Sequence, residues 1–95
     1  MSQSQMLVFD IETNGLLQGV SNIHCIAIYD NQKEETFVFN NQGDQQPITE
    51  ALDWLSSADV IVGHNIIGYD LPVIRKLYPY FKTEAQVIDT LVLSR

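Results

Sequence analysis

The sequence predicts a mixed α/β fold in which one sheet contains both antiparallel and parallel strands. The first part of the chain holds three short apolar segments that are rich in strand-forming residues and separated by turn residues. The second part alternates segments of helical spacing with further short apolar segments. The predicted order is β-β-β-α-β-α-β, followed by the start of a helix. Strands joined by short turns pair antiparallel, whereas strands separated by a helix pair parallel through a right-handed crossover.

The residues before position 48 predict three strands and the turns between them. The strands are expected at 6–11 (MLVFDI), 22–30 (NIHCIAIYD) and 35–40 (ETFVFN). The third strand alternates in polarity and is expected to pair with the second as a hairpin. Asn14 and Gly15 form a turn after the first strand, and the polar segment 41–47 forms another.

The residues from position 48 onward predict two helices, two strands and the first turns of a third helix. Helices are expected at 48–58 and 69–81, and strands at 59–65 and from 85. Apolar residues three or four positions apart give the first helix one buried face. Pro72 lies in the first turn of the second helix, where a missing N–H is tolerated. Asp89 or Thr90 is the expected N-cap of the last helix.

The composition limits the chain to one small domain without a disulfide framework. Its 95 residues are 45% hydrophobic, which is ordinary for a protein with a packed core. Cys25 is the only cysteine and is expected to be a small buried apolar residue, which fits a reducing cytosol and a cytoplasmic location. The start of the chain shows no signal-peptide pattern, and no apolar segment is long enough to span a membrane.

Acidic residues dominate the charge of the chain. Twelve acids stand against five basic residues, a formal charge of −7, and residues 1–63 hold nine of the acids with a single lysine. Because contacts to phosphate need basic residues, a chain this acidic is not expected to bind nucleic acid tightly by itself. Bound cations could reverse the local field, or another chain could supply basic surface.

Two acids, Asp10 and Glu12, lie at the end of the first predicted strand. Because side chains alternate across a strand, these two carboxylates point to the same face. Two unpaired carboxylates side by side repel each other, and a divalent cation between them removes this conflict. Carboxylate oxygens suit Mg²⁺ or Mn²⁺. The alternative is that the strand frays at this point and that water solvates both acids.

A third acid, Asp70, follows the fourth predicted strand at the start of a helix. Because the ends of neighbouring strands meet at one crevice of a mixed sheet, Asp70 is expected to reach the edge where Asp10 and Glu12 project. The alternative is that Asp70 only interacts favourably with the dipole of its helix. Neither histidine has a partner at zinc-ligand spacing apart from Cys25 beside His24, so a zinc site is not indicated.

These residues resemble the motifs of the DEDD, or DnaQ-like, 3′→5′ exonucleases. "FDIETNGL" resembles the first motif of the family, and "HNIIGYD" resembles the second, N-x-x-x-[FY]-D, at Asn65, Tyr69 and Asp70. A closer similarity is to the proofreading domain at the N-terminus of the family A DNA polymerases of T-odd phages. It rests on D-I-E followed by N-x-L, on "HC…IYD" and on "IDTLVLSR", and it extends from Leu7 to Arg95.

The resemblance implies a ribonuclease-H-like fold and a mechanism that uses two Mg²⁺ or Mn²⁺ ions. It implies that Asp10 bridges both ions, that Glu12 binds the ion carrying the nucleophilic water, and that Asp70 holds the second ion directly or through water. The implied substrate is the 3′ end of single-stranded DNA. The residues implied to contact this strand are Thr13, Asn14, Leu16, His64 and Asn65.

The third motif of the family, a Tyr or His followed by a fourth metal-binding Asp, has no counterpart in residues 1–95. The resemblance therefore implies a partial exonuclease domain, residues 1–95, that is weak or inactive alone. The rest of a DNA polymerase or a second polypeptide would complete it, or a symmetric dimer in which each subunit lends an acid such as Asp89. Two alternatives are an inactive module that binds metal, DNA ends or a polymerase partner, and a fragment cut from a full polymerase.

A partial domain is also expected to leave one face of its sheet uncovered. Ile61, Ile66, Val87 and Leu91 are the candidates for this apolar face. Exposed apolar surface promotes association, so we expect self-association or a partner chain.

Overall fold

The computed structural model describes residues 5–41 and 47–93, and its elements follow the predicted order. The elements are β1 (Met6–Thr13), β2 (Ile23–Asp30), β3 (Glu35–Phe39), α1 (Ile48–Ser57), β4 (Val60–Gly63), a π-helical turn (Ile66–Asp70), α2 (Leu71–Leu77), β5 (Gln86–Asp89) and α3 (Thr90–Leu93). Most of the turn predicted at 41–47 and both ends of the chain lie outside the described residues.

The five strands form one sheet in the order β3-β2-β1-β4-β5, with β1 at its centre. β1 pairs antiparallel with β2, and β2 pairs antiparallel with β3. On its other side β1 pairs parallel with β4, which pairs parallel with β5. The predicted mixed sheet and the predicted β2–β3 hairpin are therefore confirmed.

One face of this sheet packs against α1 and α2 and forms the core. Along β1 the buried residues are Leu7, Phe9 and Ile11, which alternate with exposed ones. The buried face of α1 has the predicted helical spacing; it consists of Ile48, Ala51, Leu52 and Leu55. Within the described ranges, none of the helices is long and apolar enough to cross a membrane.

The opposite face of the sheet, called the outer face below, is apolar and partly exposed. Strand register places Tyr29, Val8, Val62 and Ile88 in one row across four strands. Tyr29 is 38% exposed and Val8 is 41% exposed, while Val62 and Ile88 are half-buried. The same face carries Met6, Ala27, Val38 and Val60.

The sequence-based choice of uncovered residues was wrong for three positions. Ile61 and Ile66 are fully buried in the core. Ile61 lies beside Leu7 in the parallel register, so it shares the helix-covered face. Val87 lies beside Ile61 in the parallel register of β4 and β5 and packs against the core. β4 is apolar on both faces, and its periodicity alone therefore does not indicate which face the helices cover.

The segment between β4 and α2 differs from the predicted strand at 59–65 and helix at 69–81. The strand ends at Gly63, and Asn65 adopts a left-handed conformation with φ of 59°. A π-helical turn follows, in which the Leu71 N–H donates to the Ile66 carbonyl. The helix ends at Leu77 because Pro79 disfavours a helical conformation at the residue before it.

Gly63 permits the close approach of the π-helical turn to β1. A Cβ atom at this position would overlap Ile66 Cγ2 and would lie 2.8 Å from the Phe9 carbonyl oxygen. The Phe9 carbonyl belongs to the main chain of the central strand and cannot move away locally. We therefore predict that Gly63→Ala lowers the free energy of unfolding by about 1–3 kcal/mol, measured by urea denaturation.

Gly19→Ala is the matched control, because a Cβ atom added at this position would meet nothing within 4 Å. This variant should be neutral or slightly more stable than the wild type, by up to about 1 kcal/mol. Equal stability of the Gly63→Ala variant and the wild type would contradict the packing described at Gly63.

Candidate active site

Asp10 and Glu12 lie on the outer face of β1, on the opposite side from the core. Both are exposed, and β1 continues past them to Thr13. In the antiparallel register Asp10 lies opposite Ala27, and Glu12 lies opposite Cys25. The prediction that the two carboxylates share a face is confirmed. The alternative that the strand frays here is wrong, because both acids belong to the paired part of the strand.

Asp70 is the last residue of the π-helical turn and reaches the same region from β4. Its side chain is 4% exposed. It makes no capping hydrogen bond to α2, and its Oδ2 atom is buried without a hydrogen-bond partner among the described residues. A buried carboxylate oxygen without a partner is costly in a folded protein, and such an atom calls for a functional explanation.

The pKa of Asp70 indicates which groups surround it. Burial, and to a smaller extent the negative charge of Asp10, raise this pKa from its ordinary range to about 7. Hydrogen bonds from the backbone at Ile11 and at Asp70 itself oppose the rise. Asp70 therefore lies beside the segment of β1 that carries Asp10, as the meeting of strand ends predicted.

The three acids do not form a closed ligand set. Within residues 5–41 and 47–93, no group of three or more His, Cys, Asp or Glu side chains is arranged to hold a metal ion. The donor chemistry nevertheless fits a hard divalent cation, because all three groups are carboxylates and one buried oxygen of Asp70 has no partner. Asp10 and Glu12 are exposed, so their side chains can rotate toward Asp70 without repacking the core.

The loop after β1 is attached to the π-helical turn and to α2. The hydroxyl of Tyr69 bonds the Thr13 hydroxyl at 2.5 Å and donates to the Gly15 carbonyl. Lys76 Nζ donates to the carbonyls of residues 17 and 18 at 2.8 and 3.1 Å. Leu16 projects from this anchored loop and is 77% exposed. Tyr69 thus fixes the first sequence motif relative to the second.

Three other residues that the resemblance placed at the substrate make contacts within the protein. The Asn14 side chain is used inside its loop: it accepts the N–H groups of residues 21 and 22, both at 3.1 Å, and donates to Ser21 Oγ. His64 is exposed, and its Nδ1 lies 3.1 Å from Thr90 Oγ1. The main chain of Asn65 is held by Asp89, at 2.8 Å.

Cys25 does not lie in the core, contrary to the expectation from the sequence. It is half-buried on the outer face, directly opposite Glu12. Burial raises the pKa of its thiol, and the negative charges of Glu12 and Asp10 raise it further. Because residues directly opposite each other on paired strands share a face, Cys25 lies on the outer face with Glu12.

Asp89 has a role beyond helix capping that its sequence context did not indicate. Of the two predicted N-cap residues, Asp89 is the one observed, since its Oδ1 accepts the Leu91 N–H at 2.9 Å. The same carboxylate also accepts the N–H groups of Asn65 and Ile67, which lie more than 20 positions away in the chain. Asp89 is 4% exposed. It is therefore not available to a partner, and the dimer in which subunits exchange Asp89 is not supported.

Comparison with known proteins shows the family of the chain. A family model of the RNase H superfamily matches residues 7–94. The chain belongs to the RNase H superfamily. The ribonuclease-H-like fold implied by the motifs is thereby confirmed.

The chain is also similar in sequence to parts of phage DNA polymerases. The DNA-directed DNA polymerases of Escherichia phage T7 and Enterobacteria phage T3 are 37% and 38% identical to it over 97 residues. The alignments cover 95% of this chain but only 14% of each polymerase. The resemblance to polymerases of T-odd phages is thereby confirmed as a similarity to a small part of them.

A solved structure shows the same fold at lower sequence identity. The family B DNA polymerase of the hyperthermophilic archaeon Pyrobaculum calidifontis matches with a TM-score of 0.61 and 23% identity. The match covers 82% of this RNase H-superfamily chain and 11% of that polymerase. At this identity the likeness shows the fold alone.

The raised pKa of Asp70 predicts a dependence of stability on pH. Between about pH 4, where the unfolded carboxyl titrates, and pH 7, the folded state keeps a proton that the unfolded state has released. Stability should therefore fall as the pH rises through this window, by about 2–4 kcal/mol, and level off above it. Asp70→Asn should remove this part of the dependence, so its advantage over the wild type should grow toward pH 8.

The measurement is urea unfolding of both proteins at several pH values from 4 to 8. Asp53→Asn is the control, because Asp53 is an exposed acid on α1. Its stability should follow the wild-type curve. Parallel curves for the wild type and Asp70→Asn would show that Asp70 titrates normally.

Proposed function

We propose that this chain is the part of a two-metal 3′→5′ exonuclease that carries three of its metal-binding carboxylates. Its substrate is the 3′ end of single-stranded DNA, and the role is proofreading within a phage-type DNA polymerase in the host cytoplasm. The relatives at 37–38% identity are phage DNA polymerases, which supports this assignment. The chain spans 14% of their length, so full activity is expected to require polypeptide beyond these residues, and the chain alone is expected to be weak.

The observation that carries the proposal is the buried, unpartnered oxygen of Asp70 beside Asp10. A folded protein that only needed stability would gain by replacing this acid with an apolar residue. A divalent cation offsets the cost at once, because it supplies a partner for the oxygen and cancels the repulsion from Asp10. Carboxylates without nitrogen or sulfur donors favour Mg²⁺ or Mn²⁺ over zinc.

Asp10, Glu12 and Asp70 are the residues that would hold the cations. When bound, such ions make a water nucleophilic at neutral pH and stabilise the charge on the leaving 3′ oxygen. Asp70 contributes an oxygen whose position is set by the π-helical turn, whereas Asp10 and Glu12 contribute exposed carboxylates that can adjust. Cation binding should also lower the pKa of Asp70, since a positive charge favours the ionised form.

The DNA strand would approach along the loop that follows β1. Leu16 offers an exposed apolar contact for the terminal base, on a loop that Tyr69 and Lys76 anchor. Asn65 and His64 lie at the start of the neighbouring turn. With a net charge of −7, the chain has little basic surface of its own to attract phosphates. Cations and a basic partner would therefore supply most of the attraction.

The outer face supports completion by a second polypeptide or by further polymerase sequence. Its row from Tyr29 through Val8 and Val62 to Ile88 is a continuous apolar strip on the same face as Asp10 and Glu12. A segment that packs on this strip would lie next to the carboxylates. The relatives are far longer than this chain, which covers 14% of each of them, and this difference in length supports the proposal.

The first test is cation binding by the 95-residue chain, followed by an exonuclease assay. Mn²⁺ binding, measured by electron paramagnetic resonance, should be saturable in the wild type and strongly weakened in Asp10→Asn and Asp70→Asn, because each change removes one carboxylate ligand. A 5′-labelled single-stranded oligonucleotide with Mn²⁺ should then be shortened from its 3′ end, slowly, and not by Asp10→Asn.

Asp53→Asn again provides the control, since it lowers the net negative charge equally without touching the site. Mn²⁺ binding that is identical in the wild type and Asp10→Asn would overturn the proposal. Binding without any shortening favours the second candidate, an exonuclease-like module that binds metal or DNA ends. We retain this second candidate because the described residues contain no closed set of three metal ligands.

A second prediction concerns the outer face. In the absence of polypeptide that covers it, the chain should self-associate at tens of micromolar, because the apolar strip is partly exposed. Val8→Lys places a charge at the centre of the strip and should give a monomer in sedimentation velocity. Gln18→Lys, on the exposed loop after β1, adds the same charge elsewhere and should leave association unchanged. A wild-type monomer under these conditions would remove the support for a docking role of this face.

A further inference from the structure

Asp89 connects the end of β5 to the turn that follows β4. Its Oδ1 accepts the N–H groups of Asn65 and Leu91 at 2.8 and 2.9 Å, and its Oδ2 accepts the N–H of Ile67 at 2.9 Å. The side chain is 4% exposed, so these bonds lie in surroundings that exclude most water. Hydrogen bonds from N–H groups to an ionised carboxylate are stronger than those between neutral groups. One side chain therefore fixes three main-chain groups.

The segment that Asp89 holds has an uncommon backbone. Asn65 adopts a left-handed conformation, which is unfavourable for a residue with a side chain. The following π-helical turn is itself a rare structure that occurs frequently at functional sites. Such a conformation persists only where surrounding groups stabilise it. The bonds from Asp89 to Asn65 and Ile67 are the side-chain contacts that do so here.

The held segment leads directly to Asp70. The Tyr69 N–H donates to the Asn65 carbonyl at 3.0 Å, and the Leu71 N–H donates to the Ile66 carbonyl. Asp70 therefore lies between two residues, Tyr69 and Leu71, whose N–H groups are bonded to carbonyls of the Asn65–Ile67 segment. A displacement of that segment is therefore transmitted to the main chain of Asp70.

We propose that Asp89 is a positioning residue whose carboxylate, through its bonds to the Asn65 and Ile67 N–H groups, sets the place of Asp70 beside β1. In the proposed function, on which this inference rests, Asp70 is a metal ligand and Asp89 never touches the metal. The two residues come from different strand ends, and the N–H groups between them provide the connection. Residues that orient metal ligands typically change metal affinity by about 10–100-fold when they are replaced.

Asp89→Asn tests this role with almost no change in size. The amide oxygen can still accept the N–H groups of Asn65 and Leu91, which keeps α3 capped. Its NH₂ group then faces the Ile67 N–H, and two donors cannot bond each other. The change thus removes the bond to Ile67 while leaving the other contacts possible.

The expected results combine three measurements on the 95-residue chain under conditions where it is fully folded. Amide hydrogen exchange at Ile67 should accelerate by about tenfold or more, because its N–H loses a bond to a charged acceptor. The amide and carboxyl NMR resonances of Asp70 should shift. The Mn²⁺ dissociation constant should rise by about 10–100-fold.

Asp30→Asn is the matched control. Asp30 is also buried, at 1% exposure, and also bridges parts of the chain, since it accepts the Gln32 N–H at 2.9 Å and Gln5 Nε2 at 3.3 Å. It lies at the turn between β2 and β3, away from the π-helical turn. Its replacement should lower stability without changing the Asp70 resonances or Mn²⁺ affinity.

The outcomes separate this inference from the proposed function. Accelerated exchange at Ile67 with unchanged Asp70 resonances would overturn the positioning role, as would an equal loss of Mn²⁺ affinity in Asp30→Asn. If the wild type binds no Mn²⁺, the proposed function fails. The Asp70 resonances then still decide whether Asp89 positions Asp70, because that measurement needs no metal.

Discussion

The two-sided pairing of β1 is the constraint on which the rest of the structure depends. β1 is the central strand, hydrogen-bonded to β2 on one side and to β4 on the other. Side chains alternate along β1, so Leu7, Phe9 and Ile11 pack against the helices. Asp10 and Glu12 point to the outer face. A slip of one residue would exchange these sets and bury two carboxylates in an apolar core. The large cost of such burial fixes the register, and the register fixes where the acids project.

The region around Asp70 shows how burial and charge are balanced against each other. Burial removes one carboxylate oxygen from the protein surface, no donor among the described residues bonds it, and the nearby Asp10 adds repulsion. Both effects oppose ionisation of Asp70. In the proposed function a bound cation would reverse both effects, so the cost in stability would be recovered as cation affinity. The hydrogen bonds of Asp89 and Tyr69 hold the main chain around Asp70 in place although the burial of this carboxylate is unfavourable.

The outer face is a partly exposed apolar surface on an acidic chain that matches only a small part of much larger proteins. A small domain buries a limited share of its surface, and this one leaves an apolar strip on the same side as its acids. The matched phage polymerases are about seven times longer than the aligned segment, since it covers 14% of each of them. An acidic chain with an apolar face is suited to association with other polypeptide rather than to tight DNA binding alone. The apolar strip and the acids Asp10 and Glu12 thus share one face of the sheet.

The sequence by itself determined the order of elements, the mixed sheet, the shared face of Asp10 and Glu12, and an N-cap at Asp89 or Thr90. These features follow from periodicity and short-range chemistry, which neighbouring residues carry. The tertiary structure alone decided which face of β4 the helices cover, and Ile61 was therefore assigned to the wrong one. It also decided the π-helical turn, the burial of Asp70 and the bonds from Asp89 to Asn65 and Ile67. Each of these depends on contacts between segments more than 20 residues apart, and no local pattern encodes such contacts.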